Sequence, residues 1–200
     1  DEKKAIIAKY GKNVEETAEF HYDFAKSCDH NTGSISLYGQ TAMQESMSKD
    51  FSYCHPFEQV YFKYGLMKAQ EWRERSGKQR REDWDEVIRS LASLPQSEGI
   101  YTAGIPTQPF IIADSASQNA GNVAFDPFNY GGDTGKKQLT EEEFKLKCRS
   151  DHPAVLGACG LLPDCGLYDR AMMQRTLDWV MQNWNWDTTW GWDYGMTAMC

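Results

Sequence analysis

The 200-residue chain of 22.9 kDa carries 21 Lys and Arg against 29 Asp and Glu, a formal charge of −8 with a pI of about 5.0, and 40% hydrophobic residues, enough length for one sizeable core. That acidity excludes a binder of the phosphate backbone, whose affinity comes from Lys and Arg displacing counterions, so no nucleic-acid partner is expected. No apolar run approaches the ~20 residues of a membrane-spanning helix, and the opening DEKKAIIAKY is not a signal peptide, so no membrane partner is expected either.

Helical periodicity dominates, and strand-type alternation is scarce. Ile7, Tyr10, Val14 and Ala18 recur every three to four residues and predict an amphipathic helix over 3–27. Phe57, Val60, Tyr61, Tyr64 and Met67 predict a second, from Pro56 in a first turn to a stop at Ser76-Gly77. Trp84, Val87, Ile88 and Leu91 mark a third, ended before Pro95. The stretch from Gln96 to Gln138 is rich in Gly, Pro, Asn, Asp and Ser, and exceeds the roughly 12 to 15 residues beyond which structureless connections become uncommon. Thr140 with Glu143 reads as a capping box for a short helix. Pro153 opens another through Val155, Leu156 and Cys159 to Leu162. Asp169 reads as the N-cap of a long helix through Met173, Leu177, Val180, Met181 and Trp184, and the final GMTAMC as a helix barely begun. The sum is all-α: a single unit over 1–200, built of helical hairpins joined by long loops. The apolar ending at Cys200 suggests part of a larger domain.

The six cysteines are scattered, without a C-x-x-C pair or ligand-spaced histidines, so neither a disulfide framework nor structural zinc is expected; the redox compartment stays open. Gly131 to Lys137 falls one residue short of a phosphate loop and places Lys137 where Ser or Thr is needed. Asp126 to Asn129 fails the calcium-loop spacing. No cofactor is implied.

Three segments could carry chemistry. Five of the seven tryptophans lie between Trp179 and Trp192. Trp179 and Trp184 read as core, whereas Trp186, Trp190 and Trp192 read as loop residues beside Gly191, Asp187 and Asp193. Tryptophan faces stack on the C–H faces of sugar rings while Asp and Asn take the hydroxyls, so this mixture points to a carbohydrate, with loop packing as the competing explanation. Glu45, with no basic neighbour before Lys49, suits a general acid; equally, it suits a helix-start glutamate favoured by the macrodipole. Asp151-His152-Pro153 combines a helix-capping Asp with a loop histidine.

Together these blocks resemble the catalytic barrel of the six-hairpin glycosidases, particularly the maltose and trehalose phosphorylase-like family and its bacterial relatives. Tyr38-Gly39-Gln40-Thr41-Ala42-Met43-Gln44-Glu45, followed by His55-Pro56-Phe57-Glu58, is similar to the family's Gly-Pro-Asp-Glu motif and the helix start after it, which places Glu45 on the general acid. Asp151 and His152 occupy the positions of a substrate-contacting Lys-Gln pair, in a block that ends at Leu162-Pro163. Thr188-Thr189-Trp190-Gly191-Trp192-Asp193 stands where the phosphorylases carry a phosphate-binding His-Ser-Ser. The resemblance implies an (α/α)6 barrel, of which this chain is a C-terminal part, with the remaining hairpins as its partner and a carbohydrate as its substrate. It also implies Gln44, Asp151, His152, Asp187, Trp190 and Trp192 as substrate contacts. A carboxylate at Asp193 would repel an anionic phosphate nucleophile and instead supplies a base for water. The expectation is therefore an inverting glycoside hydrolase with Glu45 as acid, Asp193 as base and Asp187 in reserve. A glycoside phosphorylase and a non-catalytic carbohydrate-binding module are the alternatives.

Overall fold

The computed structural model describes residues 2–28, 33–37, 54–103 and 149–200. These are mostly helical. Helix α1 (Glu2–Ser27) packs on α2 (Pro56–Arg75), and α3 (Glu82–Ser90) covers both. The stripe α1 buries, Ala18, His21 and Ala25, continued by Cys28 just past its end, lies further along than the one anticipated; Tyr10 is exposed. Two alanines let the backbones approach, and His21 stacks on Phe62 with ring centroids 4.3 Å apart. Gly65 makes room for that histidine, since a Cβ there would stand 2.6 Å from the imidazole.

Helix α2 begins at Pro56, as the sequence predicts, and ends with Gly77 at φ 80° while the Lys78 N–H donates to the Arg73 carbonyl. It separates two apolar clusters: one with Phe62 and Leu66 against α1, Trp84 and Ile35, and one with Val60 against the C-terminal third. Between them two buried glutamines act as brackets. Gln59 accepts from the Leu37 N–H and donates to the Ile35 and Ala92 carbonyls. Gln70 accepts from the Arg81 N–H and donates to the Arg81 carbonyl. Both amides are thereby satisfied, the condition for burying them. Charged pairs line the rim: Lys78 and Arg73 hold the Glu15 carboxyl below its ordinary range, and Arg81 pairs with Glu19 and Asp83.

The long loop predicted from Gln96 starts with a two-residue hairpin, β1 (Gln96–Ser97) against β2 (Ile100–Tyr101). The Tyr101 N–H donates to Thr176 Oγ1, and its hydroxyl accepts from the Asp169 N–H, docking the hairpin on the helix Asp169 starts. Residues 104–148, with the expected Thr140 helix, lie outside the described residues. The Pro153 helix is a 3₁₀ turn (Ala154–Leu156) running into a single α-turn, α4 (Gly157–Gly160). Helix α5 (Arg170–Asn183) has the anticipated cap: Asp169 Oδ1 accepts from the Met172 N–H at 2.7 Å. After a second 3₁₀ turn (Trp186–Thr188) comes α6 (Gly191–Met199). The ending is therefore a nine-residue helix already under way, not one barely begun. Gly160 is the contact that seats it, because a Cβ there would meet the Met196 carbonyl at 2.3 Å. Among the described residues, no helix is long and apolar enough to cross a membrane.

Candidate functional site

The chemistry-bearing residues of the C-terminal third converge where α6 begins. Trp190 is its N-cap and Trp192 lies in its first turn, so neither is the loop residue the sequence suggested. Asp193, at the third helical position, turns back to accept from the Trp190 N–H at 2.6 Å. It thereby satisfies a helix-start donor. The same carboxylate, with no solvent exposure, receives His152 Nδ1 at 3.0 Å on Oδ1 and 2.9 Å on Oδ2. An ionised carboxylate only accepts, so the Nδ1 proton is fixed on the ring and Nε2 is aimed elsewhere. Nε2 faces Asp151, with Oδ1 at 3.2 Å.

Asp151 is the unusual member. Its backbone is left-handed, φ 70°, a conformation that non-glycine residues seldom adopt. It caps no helix: Pro153 precedes the 3₁₀ turn, and the expected capping role is replaced by anchorage from the tryptophan-rich segment. The Asp151 N–H donates to Thr188 Oγ1 at 2.8 Å, and its carbonyl accepts from the Trp184 indole at 2.9 Å. The Asn185 N–H adds a bond to the Arg149 carbonyl. Trp184 is core as expected, but with a polar task that its periodicity could not show. Trp179 is not core, being 36% exposed.

Two indoles frame the cluster. The Trp192 ring lies 4.4 Å from the His152 centroid, and the Trp190 ring 5.9 Å away, close to edge-on. Both remain open to solvent, at 44% and 62% exposure. The indoles present apolar faces to solvent, and of the two carboxylates against His152 only Asp151 keeps any exposure. Asp187 is exposed on its 3₁₀ turn. Asp193, the expected base, is the least accessible carboxylate of the group: water would have to displace the Trp190 N–H or His152 to reach it. Gln44 and Glu45 lie outside the described residues.

Apart from this cluster, an apolar groove of about 740 Å³ runs between α5 and α6 along Leu177, Met181, Trp186, Tyr194, Thr197, Ala198 and Cys200. Trp186 stacks on Tyr194 there, centroids 5.7 Å apart. Its lining is suited to packing and carries no acid–base pair.

Sequence reading passed over one group at the start of α2. Glu58 is buried with Oε1 lacking a hydrogen-bond partner, and burial pushes its carboxyl up to about 7. His55 beside it is buried with both ring nitrogens unpartnered, and burial pulls it down to about 4. The only signal in the sequence was a carboxylate among apolar residues of a first helical turn.

The chain matches no protein-family model, no curated protein and no solved structure.

Proposed function

We propose that the protein acts on a carbohydrate as an inverting glycoside hydrolase, its helices forming part of an (α/α)6 barrel. The observation that carries this reading is the surface at the start of α6. Two exposed indoles, Trp190 and Trp192, stand beside His152, against which the Asp151 carboxylate rests with part of its surface open, a combination of stacking face and hydrogen-bond acceptor that suits a pyranose ring. The acid of the reaction is assigned by family resemblance to Glu45, with Gln44 beside it. Asp187, exposed on the turn before α6, is assigned to the sugar by the same resemblance. The apolar groove between α5 and α6 fits the barrel reading, since further hairpins would cover it.

The test is hydrolysis of an oligosaccharide panel by the full-length protein, with the first-formed anomer read by proton NMR. Inverted product is expected, and Trp190→Ala raises KM about tenfold, the loss of roughly 1.4 kcal/mol of stacking, with circular dichroism unchanged. Turnover that depends on inorganic phosphate would instead identify a phosphorylase. Sugar binding without turnover would identify a binding module.

A further inference from the structure

Water in an inverting hydrolysis must be activated by a carboxylate that is both held still and reachable. The three acidic candidates near the indoles differ sharply on these two counts. Asp193 is held by His152 and the Trp190 N–H but is wholly buried. Asp187 is exposed on a short turn. Asp151 meets both demands: its side chain keeps 15% exposure, its Oδ1 faces His152 Nε2, and its backbone is fixed on either side by Thr188 and Trp184. The left-handed φ of 70° at this residue is held by those two backbone bonds.

We infer that Asp151 is the carboxylate that activates water, held by the bonds of its backbone to Thr188 and Trp184, and that His152 and Asp193 are its positioning pair, with Asp193 fixing the imidazole against which Asp151 rests. The inference rests on the hydrolase reading above. In the step, the water oxygen bonds to the anomeric carbon as the bond to the leaving oxygen breaks. The bonding pair departs with that oxygen, which takes the proton of the general acid. The proton lost by water goes to the Asp151 carboxylate, and a hemiacetal of inverted configuration remains. Asp193 touches no reacting atom and keeps its hydrogen bonds throughout.

Asp151→Gly separates chemistry from folding, because glycine adopts the left-handed backbone without strain. With α- and β-glucopyranosyl fluoride as probes and the full-length protein, Asp151→Gly and Asp151→Asn lower kcat by about 10² to 10⁴-fold, the range for loss of a general base. Sodium azide restores consumption of the fluoride by Asp151→Gly, since azide takes the place of water and yields a glycosyl azide of inverted configuration. His152→Gln and Asp193→Asn lower kcat by up to about 10²-fold, as misplacement of a reacting group does. They leave KM nearly unchanged and gain nothing from azide. Turnover of Asp151→Asn within threefold of wild type overturns the inference and leaves the hydrolase reading standing, as does azide rescue of an Asp193→Gly variant but not of Asp151→Gly. A wild-type protein that hydrolyses neither the fluorides nor any oligosaccharide of the panel overturns the hydrolase reading, and the inference with it; where only an oligosaccharide is turned over, the loss of kcat in Asp151→Gly and Asp151→Asn is read on that substrate.

Discussion

Two helix entrances in this protein are built alike and end in opposite polar states. Cys54-His55-Pro56 and Asp151-His152-Pro153 each place a left-handed residue, φ 59° and 70°, ahead of a histidine and a proline. Both histidines are buried, at 6% and 4% exposure. At the first entrance burial acts alone, so His55 stays neutral, with its titration pulled down to about 4 and neither nitrogen bonded. At the second, Asp193 arrives 41 residues later in the chain and Asp151 comes from next door, so His152 lies between two carboxylates. Burial thus makes a histidine expensive, and the partners brought by the rest of the fold decide whether it is inert or useful.

The largest expected effect comes from removing the partner at the furnished entrance. His152→Leu leaves the buried Asp193 carboxylate with the Trp190 N–H alone and should cost about 3–5 kcal/mol in urea unfolding at neutral pH. An effect below about 1 kcal/mol would show that the Asp193–His152 contact carries little and that the two entrances are energetically alike.

Next is the acid beside the bare entrance. Glu58 titrates near 7 when folded and near 4.5 when unfolded. Between those values the unfolded chain has lost the proton that the folded one keeps, so the stability from this group is full below pH 4.5 and falls as pH rises to about 7. Glu58→Gln abolishes that loss. The variant's stability relative to wild type should rise by about 3 kcal/mol between pH 4 and pH 8, since each pH unit separating the folded and unfolded titrations is worth roughly 1.4 kcal/mol. Taking the difference cancels the contributions of His21 and His55, both titrating near 4, which run the other way and weaken the fold as pH falls from 6.5. A flat difference would mean that Glu58 is ionised and solvated in the folded protein.

The smallest effect has the opposite sign. His55→Leu removes two unpartnered buried nitrogens at similar volume and should stabilise the protein by about 1 kcal/mol, read as a higher urea midpoint. If it destabilises as strongly as His152→Leu, His55 has a partner in solution and the contrast between the entrances disappears.

The helices at Pro56, Trp84 and Asp169 were legible because their boundaries rest on local chemistry: a fixed proline φ, an apolar spacing, a side chain reaching three residues on. The final helix was misjudged because its start depends on Asp193 folding back to the Trp190 N–H, and a Trp-Gly-Trp sequence gives no capping signal for it. Trp179 was misjudged because helical spacing marks a stripe without saying whether anything covers it. At the candidate site, the residue types and the blocks that hold them could be named in advance. Their division of labour could not, since exposure separates Asp151 from Asp193 and both look equally competent in one dimension.

By itself, then, the sequence determined the helical class, the entrances and caps, and the concentration of indoles and acids near the C-terminus, all consequences of interactions spanning a few residues. Only tertiary structure decided which histidine is bracketed by carboxylates, which aspartate is sealed and which stays at the surface. Those outcomes depend on contacts between segments some forty residues apart, and the cost of burying a charge is set by what those segments bring.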